Sequence, residues 1–104
     1  MTTVYGLKNC DTCRKALKSL GDVTFVDVRA DGVPVETLKL AFDRFEDAII
    51  NKRSTTWRNL TAEEQGNAPI SLLLAHPTLM KRPLIEHNGV YYLGWNKDTQ
   101  EAVL

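Results

Sequence analysis

The stretch Val4-Tyr5-Gly6-Leu7-Lys8-Asn9-Cys10-Asp11-Thr12-Cys13-Arg14-Lys15-Ala16-Leu17 decides the fold. A short apolar run ends just before two cysteines, and a helical pattern begins just after them. They are the only cysteines in the chain and form a C-x-x-C pair. A thiol placed where a strand turns into a helix meets unpaired backbone N–H groups and the positive end of the helix dipole. Both favour thiolate, the reactive form of cysteine. The three-residue spacing brings the second sulfur round to the same face, within reach of the first. Thiol chemistry is therefore the first reading. Its competitor is a pair of buried, inert cysteines acting as small hydrophobes.

Outward from this stretch, Thr2 to Gly6 alternates and reads as a strand. From Asp11 to Leu20, Ala16, Leu17 and Leu20 form an apolar stripe among cations, and Gly21 suits the helix stop. Val23 to Val28 is β-branched and aromatic, so a second strand follows. Strand, helix, strand in so short a space is a βαβ unit with parallel pairing. Asp31-Gly32 makes a turn, and Leu38, Leu40, Ala41, Phe42 and Phe45 mark a second helix with Pro34 at an early helical position. Thr61-Ala62-Glu63-Glu64 has the form of a capping box, and Ile70 to Ala75 reads as a buried helix closed by His76-Pro77. Pro83 to Glu86 and Val90 to Leu93 read as a hairpin joined by His87-Asn88-Gly89, before a final helix from Asn96 to Leu104. The expected fold class is α/β: a thioredoxin/glutaredoxin-like mixed four-stranded sheet, βαβ plus ββα, with a helical insertion. One domain spans 1–104, its thioredoxin-like part being 1–33 and 80–104 and its insertion 34–79. Arg82-Pro83 falls at the entrance to the third strand, where a proline beside an active site is predicted to be cis.

The chain has 104 residues, 43% hydrophobic, enough for one domain with a modest core. Thirteen basic residues balance thirteen acidic ones, which argues against direct nucleic-acid binding. No apolar run could cross a bilayer, and Met1-Thr2-Thr3-Val4-Tyr5 lacks the features of an export signal. The expected compartment is the cytoplasm, where a C-x-x-C pair reads as redox-active. His76 and His87 lie far from the cysteines without metal-site spacing, so neither a metal nor a bound cofactor is expected. A monomer is the default at this size.

Cys10 is the candidate nucleophile and Cys13, one turn into the helix, the candidate resolving thiol. Helix N-termini and nearby cations can lower a cysteine pKa to roughly 3.5–7.5. Lys8 and Arg14 are the local cations, with Asp11 opposing them, and Asn9 and Thr12 complete the immediate surroundings. Arg82 is expected beside the helix that carries Cys10. There its guanidinium holds an oxyanion or a carboxylate through two parallel hydrogen bonds, or else it is an ordinary solvated arginine paired with a surface carboxylate. Asn51, Lys52, Arg53 and Arg58, with Trp57 among them, form a basic and aromatic loop. It reads either as an anion-facing rim or as a solvated loop anchored by Trp57.

Three segments carry a family resemblance. Tyr5 to Ala16 resembles the start of the arsenate reductase/Spx superfamily, the ArsC family. Ile49-Ile50-Asn51-Lys52-Arg53-Ser54-Thr55-Thr56-Trp57-Arg58-Asn59-Leu60 resembles its middle, and His76-Pro77-Thr78-Leu79-Met80-Lys81-Arg82-Pro83-Leu84-Ile85 its most diagnostic block. Leu93-Gly94-Trp95-Asn96 resembles the ending of the Spx and YffB-like branches, the latter being the nearer. The resemblance implies a thioredoxin-like fold with a helical insertion, Cys10 as the redox cysteine, and Arg82 before a cis proline. It implies a small thiol–disulfide oxidoreductase that uses glutathione as co-substrate or glutaredoxin as partner. Substrate or glutathione contacts would then fall to Lys8, Asn9, Thr12, Arg14, Asn51, Arg53, Arg58 and Pro83. Glutathione-coupled arsenate reductases surround the oxyanion with three arginines. Only Arg82 matches here, with Asn51 and Gly94 at the other two places. Two alternatives follow from the same resemblance: an Spx-type redox regulator that binds the α-subunit of RNA polymerase, and arsenate reduction proper.

Overall fold

A computed structural model describes residues 1–104, which fall into two units: Met1–Asp31 together with Arg82–Leu104, and Gly32–Lys81. The first unit holds a four-stranded mixed sheet. Its strands are β1 (Thr2–Gly6), β2 (Thr24–Asp27), β3 (Leu84–His87) and β4 (Val90–Leu93), in the order β2-β1-β3-β4. β1 pairs with β2 in parallel and with β3 antiparallel, and β3 and β4 form the hairpin. Helix α1 (Asp11–Leu20) links β1 to β2, as a parallel pair requires. Register aligns Phe25, Val4, Ile85 and Tyr92 in one row across the sheet. Leu17 and Leu20 of α1 and Val103 of the last helix pack against that row. Val4 and Ile85 lose all solvent contact there, each burial worth about 1.5–3 kcal/mol.

The hairpin turn is tighter than the sequence reading. His87 still belongs to β3, and only Asn88 and Gly89 turn, with φ of 51° and 86°. Two consecutive positive φ values give the turn whose twist matches flanking strands, and Asn-Gly tolerates them best. The second strand also stops earlier than expected. Val28 opens a short helix, α2 (Val28–Asp31), because the Asp27 carboxylate accepts from the Arg29 and Ala30 amides at 2.9 and 3.2 Å. A side-chain cap of this kind competes with strand continuation.

In the Gly32–Lys81 unit, α3 (Val35–Phe45) buries Thr37, Leu38 and Ala41, and Pro34 stands just outside it as the N-cap. The short α4 (Thr55–Arg58) is capped by Ser54, and α5 (Ala62–Gln65) by the Thr61–Glu64 capping box. Helix α6 (Pro69–Ala75) buries Leu72 and Leu73 and ends at His76. The first unit closes with α7 (Lys97–Val103), capped by the Asn96 side chain on the Thr99 amide at 2.9 Å. No helix is long and apolar enough to cross a membrane.

Gly6 ends β1 under the second cysteine. A Cβ added to it would meet the Cys13 Sγ at 2.5 Å and the Cys13 Cβ at 3.3 Å. The first distance is far inside contact, so any side chain at position 6 must push α1 off the sheet. Gly6→Ala is expected to cost about 1–3 kcal/mol in urea unfolding. In a Cys13→Ala background the cost should fall by more than half, because the sulfur is gone and only the softer Cβ contact remains. Equal costs in both backgrounds would show that the sulfur is not what excludes the side chain.

Candidate active site

Three neighbouring pieces of one unit build the site: the end of β1, the first turn of α1, and the segment entering β3. Cys10 is the N-cap of α1, with extended backbone (φ −93°, ψ 118°). Its own carbonyl accepts the Arg14 amide at 2.9 Å, while its amide donates to the Leu7 carbonyl at 3.2 Å. The turn Leu7–Cys10 is thereby closed, and the sulfur stands at the positive end of the helix. Arg14 steadies the same turn, its Nε donating to the Lys8 carbonyl at 2.8 Å. Its 3.8 Å contact with Asp11 joins two highly exposed groups and adds little.

The two sulfurs are placed differently. Cys10 is half-buried, and Cys13 is fully buried beside Gly6. Partial burial works against the Cys10 thiolate as the largest single influence. The Cys13 amide, the Cys13 thiol and the Arg82 guanidinium together outweigh it, and the Cys10 pKa lies below the ordinary value of 9.0. The sulfur makes no capping hydrogen bond of full helix-cap geometry. Its stabilisation comes from these several donors converging on it. For Cys13, burial pushes the thiol up to about 11, and the neighbouring Cys10 sulfur adds to the push against help from the Leu7 amide and Arg82. The site therefore holds one sulfur that ionises more readily than an ordinary cysteine and one kept protonated near neutral pH, which can donate to the first.

Arg82 acts on both sulfurs, and the Arg82-Pro83 peptide immediately before β3 is cis, as predicted. Pro83 is buried, and its carbonyl accepts the Gly94 amide at 2.8 Å, which ties the β3 entrance to the end of β4. The cation acting on Cys10 most strongly is Arg82, distant in sequence, rather than the adjacent Lys8 or Arg14. Lys8, Asn9 and Thr12 are exposed around the thiol turn. Asn51, Arg53 and Arg58 belong to the Gly32–Lys81 unit. Asn51 and Arg53 line a cavity there with Lys52 and Lys81, whereas Arg58 ends α4 outside it. His76 is the C-cap of α6 in the Gly32–Lys81 unit, and the His87 Nδ1 lies 2.6 Å from the Thr2 hydroxyl. No cluster of three or more His, Cys, Asp or Glu side chains is arranged to hold a metal ion. Two contributors escaped the sequence reading, Gly6 and the Leu7 amide. Their only signal was a glycine one strand-length from the chain start, which reads equally well as a turn.

Comparison with known proteins agrees with this geometry. An uncharacterized protein of Haemophilus influenzae is 42% identical, the match covering 98% of this chain and 97% of that one. The global transcriptional regulator Spx of Bacillus subtilis is 28% identical, over 94% of this chain and 82% of Spx. The solved structure of the YFFB (PA3664) protein superposes with a TM-score of 0.85 at 30% identity, covering 100% of this chain and 99% of that one. The ArsC family model matches residues 5–103. With thiols, arginine and sheet arranged on an arsenate reductase-like thioredoxin fold, the chain belongs to the ArsC family.

Proposed function

We propose that this chain is a glutathione-dependent thiol reductase in which Cys10 is the nucleophile. The observation that carries the reading is the partly exposed Cys10 sulfur at the start of α1, with Arg82 and both donors of Cys13 directed at it. The Cys10 thiolate attacks the glutathione sulfur of a mixed disulfide GS–S–R. The S–S bond breaks, RS⁻ leaves and takes a proton from water, and a Cys10–glutathione disulfide forms. A second glutathione thiolate attacks the bound glutathione sulfur, oxidised glutathione departs, and Cys10 is again thiolate. Two glutathione units end as one disulfide, and R is reduced to its thiol.

Arg82 holds a glutathione carboxylate through paired charge-assisted hydrogen bonds. Lys8, Asn9 and Thr12 supply the exposed rim around the tripeptide, with Arg14 bracing the turn and Pro83 setting Arg82. Cys13, with its thiol near 11, serves first as donor to the Cys10 thiolate. Disulfide formation between Cys10 and Cys13 is the side branch, since thiolate is the attacking form and external glutathione supplies far more of it. The three-arginine oxyanion set of arsenate reduction is matched here only at Arg82, so arsenate is not the preferred substrate.

Cys10→Ser should abolish reduction of a glutathione mixed disulfide in a glutathione-coupled assay. Turnover at the parent's rate would refute the assignment. Cys13→Ala should keep measurable turnover, and its complete loss would make Cys13 the obligatory resolving thiol instead. Alkylation by iodoacetamide reads the titration directly. The Cys10 rate should rise with pH through a midpoint below that of an ordinary cysteine. Arg82→Gln should move the midpoint upward, because a cation that favours thiolate is lost, and lower kcat/KM by about tenfold or more. An unchanged midpoint would remove Arg82 from the site.

The similarity to Spx favours a second reading, in which the same two thiols are the sensor of a transcriptional regulator. Capture of RNA polymerase through the carboxy-terminal domain of its α-subunit, in one redox state only and with no reductase activity, would put this reading in place of the first.

A further inference from the structure

The Gly32–Lys81 unit contains a cavity of about 570 Å³ whose charged lining is Lys52, Arg53 and Lys81 against the single carboxylate Asp47. We propose that this cavity binds a small organic polyanion, a molecule bearing two or more carboxylate or phosphate groups. The inference does not rest on the thiol reading.

Backbone pairing explains why the cations converge. Ile50 and Met80 form an isolated antiparallel bridge. On either side of it the Asn51 amide donates to the Leu79 carbonyl and the Lys81 amide to the Ile49 carbonyl, both at 2.8 Å. This pins Lys81 beside the segment that carries Lys52 and Arg53. That segment is itself held as a turn. The Asn51 side-chain oxygen accepts the Arg53 amide at 3.1 Å, and the Ser54 hydroxyl donates to the Asn51 carbonyl at 2.8 Å. Lys52 is steered further by the Trp57 ring, 5.7 Å from its Nζ.

Lys52, Arg53 and Lys81 are all exposed, and none of them is in an ion pair. Three cations against one carboxylate, carried on backbone held by hydrogen bonds, make a local positive excess that favours an anion. The chain as a whole is neutral, so the excess here is balanced elsewhere in the chain. That counts against a nucleic acid, whose binding draws on an extended basic surface. The volume far exceeds one inorganic anion and falls within the range of small-molecule sites, about 300–1,000 Å³. Ala48 and the nearly buried Ile50 give it an apolar wall, which suits a carbon skeleton between the anionic groups.

The test titrates the reduced protein with citrate, with pyrophosphate and with acetate at matched low ionic strength, followed by backbone amide NMR. Citrate or pyrophosphate should give saturable shifts at residues 47–53 and at Lys81, and acetate none. The stronger of the two identifies carboxylate or phosphate as the natural chemistry. Lys81→Gln should weaken binding by about tenfold, as expected for one charge-assisted contact. Arg53→Gln gives a second reading of the same cavity should Lys81→Gln disturb the fold. Lys18→Gln, an exposed cation of the other unit, should leave the affinity unchanged. Shifts that do not saturate, an equal response to acetate, or indifference to both cavity substitutions would overturn the proposal. Binding of a poly-glutamate peptide without any response to citrate or pyrophosphate would overturn it too, because the surface would then serve an acidic protein.

Discussion

The seating of the Cys13 sulfur against the bare backbone of Gly6 is the contact on which the site depends. It brings α1 so close to β1 that no side chain fits between them. The rotational setting of the helix is fixed by this contact. Once Cys13 faces inward over Gly6, Cys10 must stand at the helix start, and the first-turn amide of Cys13 must point back toward it. The Phe25–Val4–Ile85–Tyr92 row and the leucines of α1 secure the rest of the helix.

From that placement follows the division between the two thiols. Identical in chemistry, they are separated by environment alone: at one, a guanidinium and converging donors outweigh partial burial, and at the other, burial and the neighbouring sulfur outweigh the same guanidinium and the Leu7 amide. A buried thiol costs little while it keeps its proton. It also gives its partner a hydrogen-bond donor that water cannot displace. The asymmetry separates the two thiols of one motif, so that one ionises well before the other.

Much of this was legible in the chain. The limits of β1 and α1 and the cis Arg82-Pro83 peptide agree with the sequence reading, because strong period-two and helical patterns flank the cysteines and proline has few places in a sheet. The capping box at Thr61 was visible for the same reason: its side chains act within one turn. Other features were not visible because they rest on contacts remote in sequence or on local competition. Nothing at Val28 announces a helix, since the Asp27 carboxylate that starts it resembles an ordinary strand end. Nothing at Lys81 announces its place beside Lys52 and Arg53, since the pairing of Ile50 with Met80 has no local signature. Arg82 outweighs Lys8 and Arg14 at Cys10 because proximity in space, not in sequence, sets a Coulomb interaction.

The sheet order carries a further consequence for how the protein is made. β1 opens the chain, yet its antiparallel neighbour is β3, so residues Thr2 to Tyr5 wait for residues Leu84 to His87. Contacts of such long range slow folding, and on the ribosome they cannot form until the last quarter of the chain emerges. Until then the nascent chain has its cysteines but lacks the guanidinium that favours ionisation. The full set of groups that favour the Cys10 thiolate, Arg82 included, is therefore assembled only with the completed sheet.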